Sequence, residues 1–185
     1  MIIGLTSFLG AGKTTVGEYL VKRGFVFYSL SDVIREEITA SGHEITRELL
    51  QKTGNDLRRK FGNSVLAERI LKKIGHDKKK NNYVIDSIRN PAEVEALRKN
   101  KDFKLLFIDA PIEIRFERVK QRQREKDPQT FKDFKLAEGK EMKSKDSANQ
   151  QLAKCKEMAN FVIINDSAVE ELYKKIEKLL QTSAD

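Results

Sequence analysis

Five short apolar runs recur along the chain, and each is rich in valine, isoleucine, phenylalanine or leucine. The runs are MIIGLT (1–6), FVFYSL (25–30), YVIDSI (83–88), KLLFIDA (104–110) and FVIIND (161–166). Their hydrophobicity is nearly continuous, which is typical of strands that are covered on both faces. The pattern therefore predicts five strands of a parallel sheet.

Between these runs, hydrophobic residues recur with the period of a helix. Val16, Tyr19 and Leu20 share one side of the first predicted helix, and the C-terminal segment 169–180 repeats the spacing. The stretch NPAE (90–93) supplies an N-cap asparagine, a proline in the first turn and a glutamate that closes a capping box. The alternation predicts an α/β fold with three layers, in which the five-stranded parallel sheet is doubly wound through right-handed crossovers.

Two segments depart from this alternation. Residues 42–75 are long for one crossover and predict two helices with a break near KFGN (60–63). Residues 119–150 are very polar and contain no strand pattern, so they predict a helical flap. The whole chain, residues 1–185, has the length of one ordinary domain.

The composition is that of a globular protein with a heavily charged surface, because 39% of residues are hydrophobic and 35% are charged. No apolar run approaches the roughly 18 residues that a membrane-spanning helix needs. The single cysteine, Cys155, cannot form an internal disulfide, which agrees with a reducing compartment. We therefore expect a cytoplasmic protein with no membrane partner.

The formal net charge of +8 indicates an anionic partner. One dense basic cluster, HDKKKNN (76–82), lies between a helical pattern and a strand pattern, and lacks the interleaved aromatic residues of a single-strand binder. A solvated loop is the favoured interpretation of this cluster. The charge leaves small nucleotides and nucleic acid both open, with nucleotides preferred.

The stretch SFLGAGKTT (7–15) follows a predicted strand and precedes a predicted helix. It matches most of the motif G-x-x-x-x-G-K-[ST], whose backbone N–H groups cradle phosphates at a helix N-terminus. Ser7 replaces the first glycine, and we expect this small residue to be tolerated where the strand bends into the loop. Lys13 is predicted to reach the β- and γ-phosphates of ATP, and the Thr14 hydroxyl is predicted to ligate Mg²⁺. The predicted ATP-binding residues of the loop are Gly10, Ala11, Gly12, Lys13, Thr14 and Thr15.

The stretch IGLTSFLGAGKTT, together with the motifs below, resembles the phosphate-loop nucleoside monophosphate kinase superfamily. The nearest branch is the one that holds dephospho-CoA kinases and deoxynucleoside monophosphate kinases. The resemblance covers nearly the whole chain. It implies the strand order 2-3-1-4-5, acceptor-binding helices at about 31–75 and a lid at about 119–150.

Several acceptor-binding residues are implied by the resemblance. SLSDVIREE is similar to the adenylate-kinase stretch that opens the acceptor site, which assigns Asp32 and Arg35, although an exposed ion pair is the alternative. In NDLRRKFG, either Arg58 or Arg59 is expected to face the acceptor's phosphate. Arg89, in VIDSIRN, resembles the arginine that grips this phosphate.

The remaining site residues follow from the same resemblance. Asp86 closes the third strand, where the family's acid orients Mg²⁺ and lies near the acceptor oxygen. In FERVKQRQREKD, Arg118 and Arg122 match the lid arginines that close over the transferring phosphoryl group, and Arg124 is a third candidate. Beyond the flap, this chain has the lysines Lys140, Lys143 and Lys145 where adenylate kinases supply further arginines. The C-terminal turn 165–168, with Asp166, is implied to border the donor adenine.

These assignments predict an enzyme that uses ATP and Mg²⁺ to phosphorylate a nucleoside or deoxynucleoside monophosphate. The predicted catalytic residues are Lys13, Asp86, Arg118 and Arg122. Dephospho-CoA kinase is the first alternative. A non-catalytic nucleotide sensor or a nucleic-acid-associated NTPase is the second. The sequence leaves open whether the chain is a monomer or a homodimer.

Overall fold

The computed structural model describes residues 1–77, 81–122, 127–142 and 144–182. Its centre is one sheet of five parallel strands in the order β2-β3-β1-β4-β5, which confirms the predicted sheet and its order. The strands are β1 (Ile2–Ser7), β2 (Val26–Ser29), β3 (Tyr83–Asp86), β4 (Phe103–Asp109) and β5 (Phe161–Ile164).

The central strands are covered on both faces, as their continuous hydrophobicity predicts. All six residues of β1 are buried. The edge strand β5 differs, because Phe161, Val162 and Ile164 are exposed and only Ile163 is buried. An apolar run therefore indicates a strand here without indicating how many of its faces are covered.

Helices connect the strands on both sides of the sheet. The described helices are α1 (Lys13–Lys22), α2 (Leu30–Ala40), α3 (Arg47–Phe61), α4 (Val65–Gly75), α5 (Pro91–Arg98), α6 (Ile112–Gln121), α7 (Phe131–Met142), α8 (Leu152–Glu157) and α9 (Val169–Thr182). The break predicted near 60–63 is confirmed, because α3 ends at Phe61 and is capped by Gly62 with φ 100°. None of the described helices combines the length and hydropathy needed to cross a bilayer.

Two hydrophobic cores lie on opposite faces of the sheet. Successive strand residues point to opposite faces, so Ile85 belongs to one core and its neighbour Val84 to the other. The first core is closed by side chains from α2, α4 and α5, and the second by side chains from α1 and α9. A small third cluster of Phe8, Phe107 and Leu152 lies nearer the phosphate loop. The three layers leave the carboxyl edge of the sheet open.

Candidate active site

A cleft of about 620 Å³ opens at the carboxyl end of the sheet. Its wall includes the loop 7–15, residues from α2 and α3, the turn after β3, and residues from α6 and α7. In open parallel sheets, ligands bind at this edge, because the loops after neighbouring strands converge there. Cationic residues assigned from separate motifs therefore line one cavity, namely Lys13, Arg35, Arg58, Arg89, Arg118 and Arg122.

Two glycines of the loop hold conformations that side chains disfavour. Gly10 has φ 79° and Gly12 has φ 95°. A Cβ atom on Gly10 would lie 2.4 Å from the carbonyl oxygen of Arg115, and one on Gly12 would lie 2.3 Å from Nδ2 of Asn165. Glycine is therefore required at both positions by conformation and by space.

Ser7 is the last residue of β1 and not a turn residue. It pairs in register with Ile108 of β4 and is buried. Its φ is not positive. Among the described residues other than glycine, a positive φ is found at Ser87. This position needs a small side chain in extended backbone, so serine fits where the motif has glycine.

Lys13, which lines the cleft, forms an ion pair with Asp86 at the end of β3. Burial lowers the pKa of Lys13, and the Asp86 carboxylate opposes that shift. The hydroxyl of Ser87 donates to the other Asp86 oxygen at 3.0 Å. The predicted catalytic lysine and the predicted metal-orienting acid are thus within direct contact, although they are far apart in sequence.

A Mg²⁺ ion fits the donors present at this point. Thr14 offers a hydroxyl at the first turn of α1, and Asp86 offers a carboxylate. Within residues 1–77, 81–122, 127–142 and 144–182, no group of three or more His, Cys, Asp or Glu side chains is placed to hold a metal. Mg²⁺ commonly takes one or two protein ligands and completes its shell with water and substrate phosphates, so this sparse donor set suits it.

The acceptor side combines an exposed ion pair with a more enclosed arginine. Arg35 donates to Asp32 at 2.9 Å, and both side chains are about half exposed (45% and 54%). This is the exposed pair that the spacing left open, and Arg35 also lines the cleft. Arg89 donates to Glu141 and to Gln150, each at 3.1 Å.

Arg58 is almost completely buried, and its guanidinium is already paired within the protein. Its guanidinium donates to Glu93 at 2.9 and 2.8 Å, and the two side chains are 4% and 0% exposed. Arg59 pairs instead with Asp56 and Asp146 at the surface. The pair between Arg58 and Glu93 joins α3 to α5 beneath the acceptor side.

The two lid arginines lie on α6 and at its end, and both line the cleft. Arg118 donates to the carbonyl of Asn165 at 3.0 Å, and the Asn165 side chain donates to the carbonyl of Ala11 at 2.9 Å. Arg122 donates to Asp127 at 2.6 and 2.7 Å. The predicted C-terminal turn therefore contacts the phosphate loop through Asn165. Arg124 and Lys143 lie outside the described residues.

Asp166, which the sequence assigns to the donor site, lies half exposed beside this contact. Its carboxylate is 3.7 Å from the ammonium of Lys175, and its side chain is 48% exposed. The buried member of the turn is Asn165. The Asn165 amide makes the hydrogen bond to the loop, whereas the Asp166 carboxylate lies beside Lys175.

The sequence interpretation missed Arg47, Gln51 and Glu141. Glu141 Oε1 accepts from Arg47 at 2.9 Å and from Gln51 at 3.2 Å, and its side chain is 8% exposed. Arg47 and Gln51 lie on α3, while Glu141 lies on α7, more than eighty positions later. No spacing in the sequence connects these helices, so only the tertiary structure identifies this contact.

The sequence interpretation also missed Arg115, which supports the phosphate loop through hydrogen bonds. It donates to the carbonyls of Ala110 at 2.8 Å and Leu9 at 3.4 Å, and it forms an ion pair with Glu138 of α7. Its guanidinium lies over the ring of Phe8 at 5.0 Å. The residue is 4% exposed, so it positions the loop and α7 without facing a ligand.

The cleft is strongly cationic. Among the described residues that line it, the carboxylates are Asp127 and Glu141. Its lining cations are Lys13, Arg35, Arg47, Arg58, Arg89, Arg118 and Arg122. An excess of cations over carboxylates in a partly enclosed space favours a ligand with several negative charges.

Sequence comparisons place these features among known proteins. A protein family described as AAA domain matches residues 3–146. The UPF0200 protein of Thermococcus onnurineus (strain NA1) is 32% identical over 185 residues, which is 98% of this chain and 97% of that protein. A UPF0200/UPF0201 protein of Archaeoglobus fulgidus is 34% identical over 182 residues, and the chain spans 54% of its length.

Solved structures share the fold at low identity. TT1252 from Thermus thermophilus matches with a TM-score of 0.64 and 19% identity over 98% of this chain and 97% of that one. Shikimate kinase from Aquifex aeolicus vf5 matches with a TM-score of 0.58 and 22% identity over 100% and 98%. Such likenesses show the fold alone, which is the α/β phosphate-loop kinase fold.

Proposed function

The chain belongs to the AAA domain family and to the UPF0200 proteins, and we propose that it is an ATP- and Mg²⁺-dependent phosphotransferase. Its acceptor in this proposal is a nucleoside or deoxynucleoside monophosphate. The observation that carries the proposal is one cleft lined by the phosphate loop and by arginines from four separate segments, with Asp86 paired to the loop lysine Lys13. Phosphoryl transfer needs this kind of positioning and charge stabilisation, with little covalent chemistry from the protein.

On the donor side, the loop from Gly10 to Thr15 would hold the phosphates of ATP through its backbone N–H groups. Thr14 and Asp86 would hold Mg²⁺, which neutralises phosphate charge when it is bound. Lys13 leaves its pairing with Asp86 to contact the β- and γ-phosphates. The turn at 165–168, with Asn165 and Asp166, borders the adenine.

On the acceptor side, Arg35 and Arg89 would hold the acceptor's phosphate, and Asp32 would orient Arg35 from the neighbouring turn of α2. Arg118 and Arg122 would follow the charge on the transferring phosphoryl group, with Arg124 as a further lid residue. Arg58 supports this side by fixing α3 on α5 through Glu93. The helices around the cleft exclude water during transfer.

Dephospho-CoA kinase is the nearest alternative, because the first and last motifs resemble that branch. A second alternative is a cytoplasmic nucleotide sensor that binds ATP without transfer, and the lysines Lys140 and Lys145 at positions where adenylate kinases have arginines favour it. Shikimate kinases share the fold, so a small hydroxylated acid also belongs among the acceptors that are tested.

The decisive experiment is a panel of acceptors assayed for ADP release with ATP and Mg²⁺. The panel holds nucleoside and deoxynucleoside monophosphates, dephospho-CoA and shikimate. Turnover of a monophosphate supports the proposal, and turnover of dephospho-CoA or shikimate alone overturns the acceptor class. Tight ATP binding without transfer to any acceptor would favour the sensor. Addition of EDTA is expected to abolish turnover.

The variant Lys13→Ala tests the site itself. Loss of the lysine removes charge that acts on the transferring phosphate, so kcat is expected to fall about 10²- to 10³-fold. Lys22→Ala is the matched control, because Lys22 is an exposed residue at the other end of the same helix. Full activity in Lys13→Ala would refute the assignment of the donor site.

A further inference from the structure

Glu141 occupies the acceptor side of the cleft as an internal anion. Both of its carboxylate oxygens are engaged, one by Arg47 and Gln51 and the other by Arg89. These four residues all line the cleft. A carboxylate that accepts hydrogen bonds from two guanidinium groups and an amide has the environment that a bound anionic ligand would have.

The pair between Arg58 and Glu93 provides the contrast. Glu93 is fully buried, accepts the backbone N–H groups of Arg89 and Asn90 as well, and does not line the cleft. The Glu93 carboxylate therefore belongs to the N-terminal capping box of α5. The groups that donate to Glu141, by contrast, are side chains of α3 and of the turn after β3.

The helix that carries Glu141 is only lightly attached. In α7 the buried residues are Phe134 and Glu141, while Leu136 is 57% exposed. The pair between Glu138 and Arg115 is a further attachment. Segments with few buried apolar contacts rearrange at low free-energy cost, so α7 can change its packing without unfolding of the sheet.

A second carboxylate from the same flap enters the cleft. Asp127 accepts from Arg122 and lies 4.0 Å from Arg47, and its side chain is 8% exposed. The flap therefore places two carboxylates among the arginines that the proposed function assigns to phosphate. Of the two, Glu141 has the more complete set of donors.

We propose that Arg47 and Gln51 join Arg35 and Arg89 in the site for the phosphomonoester group of the acceptor, and that Glu141 is the internal anion that this group displaces. The inference rests on the proposed function. A phosphomonoester carries nearly two negative charges near neutral pH, whereas Glu141 carries one, so the two guanidinium groups are better neutralised by the phosphate. Once displaced, the Glu141 carboxylate regains its hydration.

Displacement also couples acceptor binding to the flap. While Glu141 holds Arg47 and Arg89, it anchors α7 across the acceptor side. When the phosphate takes its place, α7 loses this anchor and repacks over the ligand. A ligand that binds one arrangement better shifts the population toward it, so acceptor binding and the position of α7 are thermodynamically linked.

The test is the affinity of the full chain for inorganic phosphate and for nucleoside monophosphates, measured by calorimetry without ATP. Glu141→Gln keeps the shape of the side chain and removes its charge, so it is a weaker internal competitor. Its Kd for both ligands is expected to be about tenfold lower than that of the wild type. Arg47→Ala is expected to raise both Kd values by at least the same factor.

Glu157→Gln is the matched control. It removes the same charge from an exposed position on α8, so it reports the effect of net charge alone, and its Kd values should equal those of the wild type. Unchanged or weaker phosphate binding in Glu141→Gln would overturn the proposal. Tighter binding of acetate without tighter binding of phosphate would overturn the phosphomonoester assignment.

A measurement on the wild type makes the test independent of how the variants fold. Hydrogen exchange of the backbone amides in 131–142 should accelerate or redistribute when phosphate is added, because the Glu141 anchor is released. Exchange that is unchanged at saturating phosphate contradicts displacement.

The outcomes also separate this inference from the proposed function, because the binding assay needs no turnover. A tenfold lower Kd in Glu141→Gln with no turnover in the acceptor panel would leave the anion site standing and refute the kinase proposal. Turnover of a monophosphate with the same Kd in wild type and Glu141→Gln would refute the displacement and leave the kinase proposal standing.

Discussion

Ser87 combines an unfavourable backbone conformation with a position next to the proposed metal-orienting acid. Its φ is 64°, a backbone angle that residues other than glycine seldom adopt. Its hydroxyl donates a hydrogen bond to Asp86. Such conformations cost about 1–3 kcal/mol and persist where the surrounding structure imposes them. Here the turn after β3 brings the Asp86 carboxylate to Lys13.

The variants Ser87→Gly and Ser87→Ala separate backbone strain from the hydrogen bond. Both lack the hydroxyl, but only glycine adopts the positive φ without a steric penalty. We expect the glycine variant to have the higher free energy of unfolding by about 1 kcal/mol, measured by urea denaturation. Equal stability of the two variants would show that the turn relaxes readily.

At the scale of elements, Asn90 links the start of α5 to the chain that returns from the flap. Its side chain caps Ala92 N, and its amide donates to the carbonyls of Ser147 at 2.7 Å and Asn149 at 3.0 Å. The capping box with Glu93 is complete, as the sequence predicts. The two additional hydrogen bonds are long-range and have no sequence signal.

Asn90→Ala should therefore lower the free energy of unfolding by more than the loss of an ordinary N-cap does. Replacing a cap costs about 1 kcal/mol, and each of the two further hydrogen bonds that are lost adds about 0.5–1.5 kcal/mol. Thr46→Ala is the control, because Thr46 caps α3 through one bond to Leu49 N. Chemical denaturation should show a loss of about 1 kcal/mol for Thr46→Ala and at least twice that for Asn90→Ala. Equal losses would mean that the contacts to 147 and 149 contribute nothing.

The flap is an element whose helical character follows from its sequence, while its contacts do not. The polar composition of residues 119–150 predicts a helical segment without a strand, and in the described part of that range α7 is a helix. Which side chains of α7 enter the cleft depends on the orientation of the helix relative to α3. Phe134 and Glu141 are seven positions apart, and an amphipathic pattern alone does not distinguish a buried carboxylate from an exposed one.

At the scale of the whole molecule, the core between the sheet and α2, α4 and α5 includes Cys155. Burial raises the pKa of this thiol from 9.0 to about 12. The native state therefore retains a proton that the unfolded state loses first. The stabilisation is complete below about pH 9 and is lost as the pH rises toward 12.

This linkage predicts a pH-dependent difference between the wild type and Cys155→Ala. The free energy of unfolding of the wild type, minus that of the variant, should be constant from pH 7 to about 8.5. It should be smaller by about 1.4 kcal/mol at pH 10, since one pKa unit corresponds to 1.36 kcal/mol. Denaturant titrations across this range measure the difference. A difference that stays constant to pH 10 would mean that the thiol ionises in the native state.

The sequence by itself determined the order of strands and helices, the phosphate loop and its lysine, and the acid that ends the third strand. These features rest on local patterns: apolar runs, helical periodicity, capping residues and glycines that a tight loop requires. Each is written within a few consecutive residues. That is why Ser7, although it departs from the motif, left the loop recognisable.

Only the tertiary structure decided which charged side chains meet. Arg58 and Arg89 look alike in sequence, yet one is locked onto Glu93 and the other faces the cleft through Glu141. Arg47 joins the site because α3 crosses it, and Glu141 because α7 folds back over α3. Charge pairing depends on distances of a few ångströms between segments that are far apart in the chain, and no local pattern encodes those distances.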